Sequence, residues 1–303
     1  MFLKALCMLV LSHHCVVAAD GSGDYTSIQA AVDAVPYGND SAYTIEIRRG
    51  TYREHLHVPA GKDHIHLIGQ DSVRIVFGLH TGVVIKPGDT INTWTSAAVT
   101  IDAFAFHATN ITFDNDAPIG SGQAVAVKVS GNHAGFDRCR FTGNQDVLFC
   151  EGPATVEAYD SCYIEGTTDF IFGSATALFS HCLIRSKKNS HVTAPSTPSD
   201  IKYGFVFLDC RLIADSGIGK VSLGRPWRPY GSTTYIRCWM GAHIIPEGWN
   251  NWRNPANEHT ARFAEYASTG PGAAPEKRVP WSRQLGRAVT PAEVLGDWNP
   301  FTP

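Results

Sequence analysis

Two aspartates in similar settings could carry out chemistry together. Asp169 lies in the segment EGTTDFIFGSA, against a Phe-Ile-Phe run, and Asp146 lies in GNQDVLF. A carboxylate beside apolar side chains is costly unless it is hydrogen-bonded, paired or used in a reaction. The alternative is that both aspartates only cap turns by accepting hydrogen bonds from backbone amides, as aspartate commonly does.

The spacing of the two aspartates follows an internal repeat. Asp146 and Asp169 come seven residues after Cys139 and Cys162. Five cysteines share one setting, with an aromatic residue three positions earlier, in the segments FDRCRF, YDSCYI, FSHCLI, FLDCRL and YIRCWM. Repeats of 20 to 28 residues are typical of a stacked array. The units are rich in strand-forming residues and lack helical periodicity, so the sequence predicts an all-β fold, a single-domain parallel β-helix.

In such a fold, equivalent residues of neighbouring coils lie about 4.8 Å apart. We therefore expect Asp146 and Asp169 to emerge side by side from one face. Two carboxylates at that distance do not both ionise easily near neutral pH, so one proton tends to be retained. The pair would supply one anionic nucleophile or base and one acid.

Polar and aromatic residues near the pair add to this hypothesis. Gln145 precedes Asp146 and has an amide that could donate to an oxyanion, while Gln123 in GQAVAV lies 22 residues earlier, about one coil away. The segment LGRPWRPYGS contains Arg225, which could hold a carboxylate ionised, and Trp227, whose ring suits a sugar face. An ordinary salt bridge and a core aromatic are the alternative for these last two residues.

The repeated cysteines are expected to form an inward-facing ladder. Adjacent members could bridge, and Cys162 with Cys182 is the preferred disulfide because the two are closest in sequence. Free thiols that fill the core are the alternative for the other cysteines. No CxxC or clustered histidine spacing accompanies them, so no metal site is predicted.

The N-terminus and the overall composition limit location and partners. Residues 1–19 resemble a secretory signal peptide cleaved after Ala19, which would leave residues 20–303 as one domain in a secreted, extracellular protein. Asn39 and Asn110 lie in glycosylation sequons. Charged residues make up 17% of the 303-residue chain and the net charge is -3. The overall charge therefore does not favour binding to nucleic acid or to a membrane surface.

Eight segments, in order, resemble the pectin methylesterases of the pectinesterase family. They are DGSGDYTSIQAAVDAVP, RRGTYREHL, GQAVAV, GNQDVLF, EGTTDFIFG, LGRPWRPYG, IIPEGWNNW and FAEYASTGPGA. The resemblance implies a right-handed parallel β-helix that hydrolyses the C6 methyl esters of pectin and releases methanol. It also implies a monomer with pectin as its partner and with neither a metal nor an organic cofactor.

The resemblance implies a role for each candidate catalytic residue. Asp169 matches the family nucleophile, and Asp146 matches the general acid and base. Gln145 matches the oxyanion donor. Gln123 matches a glutamine that orders the site and touches substrate, and Arg225 matches the arginine that orients the nucleophile.

Three further residues are expected to line the substrate groove by the same resemblance. Trp227 matches the groove aromatic, while Thr90 in KPGDTIN and Tyr230 in RPWRPYG fall where the family has groove residues. None of the thirteen histidines is predicted to share the phase of the aspartates, although His191 is expected to border the groove. Val147 stands where the common pattern has threonine, with little effect expected.

Two rival functions belong to other classes. A noncatalytic pectin-binding protein would keep the groove aromatics but lose the acid pair. A relative that acts on another ester, such as an acyl thioester, would keep the pair but change the groove. The joint presence of Asp146, Asp169, Gln145 and Arg225 argues against the first alternative, and Trp227 with Tyr230 argues against the second.

Overall fold

A computed structural model describes residues 13–301 of the chain. Strands of successive coils pair in parallel and in register, and they form a right-handed parallel β-helix. The predicted fold class is therefore confirmed. Within residues 13–301, no helix has the length and apolar character needed to cross a membrane.

Two parallel sheets form the walls of the solenoid. The larger sheet has 17 strands: β1 His13–Val17, β2 Tyr43–Ile47, β3 Gly50–Tyr52, β5 Ile65–Val76, β9 His107–Asp114, β11 Ala134–Asp137, β12 Arg140–Thr142, β14 Val156–Asp160, β15 Tyr163–Gly166, β17 Thr176–Ser180, β18 Leu183–Ser186, β20 Phe205–Leu208, β21 Arg211–Ala214, β23 Ser232–Ile236, β24 Trp239–Met240, β25 Arg262–Tyr266 and β26 Arg283–Gln284. The smaller sheet has seven: β4 Leu56–Val58, β8 Val99–Ile101, β10 Val127–Val129, β13 Leu148–Cys150, β16 Ile171–Gly173, β19 His191–Pro195 and β22 Ser222–Gly224.

The remaining elements lie outside the two sheets. An antiparallel hairpin is formed by β6 Val84–Lys86 and β7 Asp89–Thr90. The α-helices are α1 Ile28–Ala34 and α2 Pro291–Leu295, and 3₁₀ turns occur at Thr93–Thr95, Pro255–His259 and Pro275–Lys277. Helix α2 packs on the outer face of the larger sheet, where Val294 and Leu295 join an apolar cluster.

The repeated segments form one corner of each coil. The residue before each repeated cysteine has a positive φ of 49° to 55°, as at Arg138 and His181, which turns the chain sharply. The cysteine that follows points inward, and all five are at most 2% exposed. Each thiol donates to a backbone carbonyl of the preceding coil, as Cys182 Sγ does to Tyr159 O at 3.5 Å. The predicted inward ladder of cysteines is confirmed.

The aromatic residues of the same repeats form a continuous stack in the core. Ring centroids of neighbouring coils are 4.5 to 4.9 Å apart, which is the strand spacing of a sheet. The rings are buried and nearly parallel, so they fill the interior at each coil. The members of the stack are Phe136, Tyr159, Phe179, Phe207 and Tyr235.

The predicted disulfide between Cys162 and Cys182 is absent from the structure. Every cysteine within residues 13–301 is a free thiol. The two thiols lie on adjacent coils, but Cys162 Sγ donates to Phe136 O at 3.4 Å and Cys182 Sγ makes the equivalent bond to its own preceding coil. Because the thiols serve as backbone hydrogen-bond donors, the pairing proposed from sequence distance is corrected here.

Strand β1, residues His13–Val17, lies within the predicted signal peptide of residues 1–19. Strand β1 pairs with β2 in parallel, and Val17 is fully buried. Cleavage after Ala19 would therefore remove a strand that is part of the larger sheet. Residues 1–12 lie outside the described residues, and the leader stays a prediction.

Both sequon asparagines already use their side-chain amides. Asn39 Nδ2 donates to Asp63 O at 2.9 Å, and Asn110 Nδ2 donates to Gly69 O at 2.9 Å. Each amide also bonds a second backbone carbonyl nearby. A glycan on either nitrogen would have to replace one of these bonds.

Candidate active site

A cavity of about 390 Å³ opens on the outer face of the smaller sheet. Six of the eight predicted site residues line this one cavity, although they are spread over more than 100 positions of the chain. They are Gln123, Gln145, Asp146, Asp169, Arg225 and Trp227. The solenoid brings them together because each comes from the same region of successive coils.

The two aspartates occupy matching positions of neighbouring coils, as predicted. Asp146 lies two residues before strand β13 and Asp169 two residues before strand β16, and Leu148 pairs with Ile171. The backbone N–H of Asp146 donates to Thr168 O at 3.1 Å. Both aspartates have positive φ, 62° and 49°, a conformation that other residues must hold in place.

Asp169 is held by a two-pronged ion pair with Arg225. Arg225 Nε lies 3.0 Å from Asp169 Oδ1, and Nη2 lies 2.6 Å from Oδ2. The guanidinium also stacks on Trp252, 3.7 Å from the ring centroid. Burial raises the pKa of Asp169, while Arg225 acts in the opposite direction and favours the carboxylate.

Asp146 has no such cation bonded to it. Burial raises the pKa of Asp146 well above its ordinary value, and the negative charge of Asp169 raises it further. Its Oδ1 atom is buried without a hydrogen-bond partner among the described residues. Asp146 is therefore the carboxyl group of the pair whose protonated form is favoured by its surroundings, while Arg225 favours the carboxylate form of Asp169.

Two glutamines lie beside the aspartates in one row. Gln123, Gln145 and Thr168 form successive parallel bridges between coils. Gln123 is fixed by its carbonyl, which accepts from the backbone N–H of Thr81 at 2.9 Å. The amide of Gln145 is thus placed next to the acid pair, where it can donate to a developing negative charge.

His191 shares the row of the aspartates, contrary to the sequence-based expectation. The backbone N–H of Asp169 donates to His191 O at 2.9 Å, and Ile171 pairs with Thr193. The phase was missed because the coil after Cys182 carries two extra residues, so His191 comes nine positions after its cysteine rather than seven. Burial lowers the pKa of His191 to about 4, and its Nδ1 lies 2.6 Å from Ser222 Oγ, so the ring is neutral near pH 7.

Thr90 and Tyr230 do not line the cavity. Thr90 is exposed on strand β7 of the hairpin, while Thr93, three residues later, lines the cavity instead. Tyr230 is 43% exposed beyond the Arg-Pro-Trp segment. The two side chains lie outside the lining of this cavity, and their role in a substrate groove stays a prediction.

Several groove residues were missed from the sequence. Trp94 lies 6.1 Å from Trp227 between ring centroids, and Phe172 stacks on Phe149 at 4.3 Å. Trp252 supports Arg225 from the segment IIPEGWNNW, which contained a usable signal. The other aromatics sit in ordinary strand or turn contexts, where a core position and a groove position look the same in sequence.

The site lacks the features of a metal centre within the described part of the chain. No group of three or more His, Cys, Asp and Glu side chains in residues 13–301 is arranged to hold a metal ion. What the cavity does contain is a carboxyl group paired with an arginine, a second carboxyl group whose pKa is raised by burial, and amide donors beside aromatic faces. This arrangement suits ester hydrolysis on a carbohydrate.

The fold and the site therefore define a class, the parallel β-helix ester hydrolases with a carboxylate pair in an open groove. The pectinesterase family model matches residues 14–293. The chain belongs to the pectinesterase family, whose members are carboxylic ester hydrolases.

Known relatives match almost the whole chain. Pectinesterase 31 of Arabidopsis thaliana is 40% identical over 276 residues, which cover 89% of this chain and 86% of that protein. The pectin methylesterase structure from carrot has a TM-score of 0.86 at 31% identity and covers 94% of this chain and 93% of its own. A pectin methylesterase solved with a bound hexasaccharide has a TM-score of 0.84 at 30% identity, with 96% of this chain and 99% of its own covered.

Proposed function

We propose that the chain hydrolyses the C6 methyl esters of pectin, with Asp169 as the nucleophile and Asp146 as the general acid and base. The observation that carries this proposal is the buried pair of carboxyl groups in different states. Asp169 is paired with Arg225, whereas burial and the charge of Asp169 raise the pKa of Asp146, whose buried Oδ1 has no hydrogen-bond partner among residues 13–301. The family relationship and the relative with a hexasaccharide support a polygalacturonate substrate.

In the first half of the reaction, a carboxylate oxygen of Asp169 attacks the ester carbonyl carbon. The carbonyl oxygen becomes negatively charged, and the side-chain amide of Gln145 donates to it. As the tetrahedral intermediate collapses, the bond to the methoxy oxygen breaks and Asp146 transfers its proton to that oxygen. Methanol leaves, and Asp169 is joined to the substrate acyl group as an anhydride.

In the second half, Asp146 is a carboxylate and acts as the base. It takes a proton from water as the water oxygen attacks the substrate carbonyl carbon of the anhydride. The bond to Asp169 breaks, which restores the carboxylate opposite Arg225 and leaves the substrate as a free uronic acid. Its proton passes to solvent, so one proton and one methanol are released per ester.

Aromatic side chains are proposed to hold the sugar ring over the acid pair. Trp227, Trp94 and Phe172 line the cavity, and ring faces of this kind pack against the C–H face of a pyranose. We further propose that the chain acts as an extracellular monomer, as the resemblance to the family and the leader-like residues 1–19 imply.

The test is release of methanol and protons from highly methylated pectin by the protein and by Asp169→Asn and Asp146→Asn. Each variant is expected to lose at least about 1,000-fold in kcat, because a nucleophile or a proton donor is removed. Asp209→Asn is the matched control, because Asp209 also has positive φ and a two-pronged arginine partner but lies outside the cavity. It should keep full activity.

The outcomes separate the proposal from its rivals. Loss of activity in folded Asp169 and Asp146 variants, with Asp209→Asn active, supports the carboxylate-pair mechanism. If the unmutated protein binds pectin but releases no methanol, it is a binding protein and the proposal is wrong. Retained activity in Asp169→Asn would instead remove this residue from the chemistry.

A further inference from the structure

A row of cationic and aromatic side chains runs along the outside of the larger sheet, on strands β9, β12, β15, β18, β21 and β24. These strands pair in parallel and in register, so each contributes one outward-facing residue at the same position. The members of this arginine row are Thr112, Arg140, Tyr163, Leu183, Arg211 and Trp239. None of them lines the catalytic cavity, which opens on the smaller sheet.

Both arginines of the row stack on an aromatic ring of the next coil. The guanidinium carbon of Arg140 lies 3.9 Å from the ring centroid of Tyr163, and that of Arg211 lies 3.7 Å from the ring centroid of Trp239. Both arginines are exposed. The N–H groups lie in the plane of a guanidinium, so stacking orients them and leaves them free to bind a ligand. Three strand spacings, roughly 14 Å, separate Arg140 from Arg211 along the row.

The charges of Arg140 and Arg211 are not balanced by a bonded carboxylate. The other arginines on the strands of this wall do have carboxylate partners. They are Arg74, which pairs with Asp114, and Arg185, which pairs with Asp215. Neither Arg140 nor Arg211 has such a partner among residues 13–301. The whole chain has a net charge of -3, so these two cations form a local positive site on a chain without an overall attraction for anions.

A cavity of about 460 Å³ lies at one end of the arginine row and includes Arg140 in its lining. The same cavity is lined by the hydroxyl groups of Thr51, Ser72 and Thr112. Asp71 is exposed and is the one carboxylate among the described residues that line it. Guanidinium groups bind carboxylates in a two-pronged geometry, and hydroxyl side chains bond to the hydroxyl groups of a sugar. The combination suits a sugar unit that carries a carboxylate.

We propose that this wall is a second binding surface, separate from the catalytic groove, for a polysaccharide with free carboxylate groups. Arg140 and Arg211 each bind a carboxylate of one polymer chain, which lies along the arginine row. The inference rests on the proposed function, because hydrolysis of methyl esters converts a neutral polymer into one with free carboxylates. The surface therefore anchors the protein to hydrolysed polymer and leaves the catalytic cavity open.

The experiment measures the binding of unesterified decagalacturonate by isothermal titration calorimetry at low ionic strength. Arg140→Gln and Arg211→Gln should each raise Kd about three- to five-fold, and the double variant at least about ten-fold. Added salt should weaken binding to the unmutated protein and have a smaller effect on the double variant. The values of kcat and KM on a methyl-esterified trigalacturonate should not change, because the row lies outside the catalytic cavity. An unchanged KM assigns the lost affinity to the wall and not to the groove.

Two further variants test the charge argument from other directions. Arg283→Gln removes an exposed arginine of strand β26 in the same sheet, outside the row and its cavity, and it should leave Kd unchanged. Asp71→Asn removes the carboxylate from the cavity and should lower Kd about two-fold. Asparagine accepts the positive φ of 55° at this position, so the backbone is preserved.

The outcomes distinguish this inference from the proposed function. An unchanged Kd in the double variant, or an equal loss in Arg283→Gln, would overturn the binding surface even if the esterase is fully active. Polyphosphate of equal charge is the comparison ligand. If it binds as tightly and loses as much affinity in the double variant, the wall binds polyanions in general and its assignment to a polysaccharide is wrong. If the unmutated protein releases no methanol but only the double variant loses decagalacturonate binding, the surface stands while the proposed reaction fails.

Discussion

Two aspartate–arginine pairs in this molecule have almost the same geometry in different surroundings. Asp169 pairs with Arg225 at 3.0 and 2.6 Å, and Asp209 pairs with Arg237 at 2.9 and 2.6 Å. Both aspartates have positive φ, 49° and 54°. The side chain of Asp169 is only 7% exposed, against 32% for Asp209.

The difference shows that the ion pair by itself does not make a reactive site. Asp169 is buried next to a second carboxyl group, Asp146, whereas Asp209 lies at a solvent-facing corner of the solenoid. Solvent screens the outer pair, so it has little influence beyond its own contact. In the buried site, charge and proton are shared between two carboxyl groups, and that division is what ester hydrolysis needs.

Among the ion pairs, the largest expected effect comes from replacing Arg225, with Arg237 replaced for comparison. Arg225→Gln should lower kcat near neutral pH at least about 100-fold, because Arg225 lowers the pKa of Asp169 and fixes its orientation. Without it the pKa of Asp169, the proposed nucleophile, rises further, so the acid limb of the pH profile of kcat should move to higher pH. Arg237→Gln should stay within about two-fold of the unmutated rate.

Methanol release across the pH range, with far-ultraviolet circular dichroism to verify folding, checks this comparison. Equal losses in the two variants would mean that arginine pairing supports the fold alone. An Arg225→Gln variant that loses rate without any movement of the acid limb would assign Arg225 to orientation and not to charge.

A smaller effect concerns stability and uses a third pair, Arg278 with Glu265. Both side chains are at most 3% exposed, and Arg278 also donates to backbone carbonyls near the C-terminal end of the solenoid. Arg278→Met leaves a buried uncompensated carboxylate, so the free energy of unfolding should fall by about 3–5 kcal/mol. Arg237→Met at the exposed pair should cost at most about 1 kcal/mol.

Urea denaturation of the two variants measures the contrast. A loss in Arg237→Met as large as that in Arg278→Met would show that burial does not decide the contribution of these pairs. A small loss in both would mean that the C-terminal coil tolerates an unpaired Glu265.

Per pH unit, the smallest expected change of stability comes from one buried carboxyl group, that of Glu157. Glu157 is fully buried, its Oε1 has no partner among the described residues, and Oε2 accepts from Tyr159 at 2.6 Å. Burial raises the pKa of Glu157 to about 8. The folded protein therefore binds a proton that the unfolded chain has released above roughly pH 4.3.

Folding stability should fall as pH rises from about 4.3 to about 8, and this contribution should level off above that. The slope from this one group is about 1.4 kcal/mol per pH unit. Glu157→Gln keeps the size of the side chain and removes the titration, so it should flatten the pH dependence of the melting temperature. Parallel slopes in the two proteins would show that Glu157 is not protonated when folded.

The sequence predicted the fold and the grouping of most candidate site residues, because the repeat has the same spacing in the two coils that carry Asp146 and Asp169. Cys139 and Cys162 precede Asp146 and Asp169 by the same seven residues. Because the two coils stack in register, the two aspartates occupy equivalent positions on neighbouring coils. The same rule failed at His191, because two extra residues in that coil broke the count. Thr90 was placed by resemblance and not by this spacing, and the structure has Thr93, after the hairpin, in the lining of the cavity.

By itself, the sequence predicted the solenoid, the inward cysteine ladder and six residues that share one cavity. Only the tertiary structure decided that the thiols of Cys162 and Cys182 are free and that Trp94 and Trp252 line the same cavity. The physical reason is that the period of the sequence repeat fixes the coil in which a residue lies and its position along that coil. Burial, side-chain direction and charge balance depend on neighbours that come from other coils.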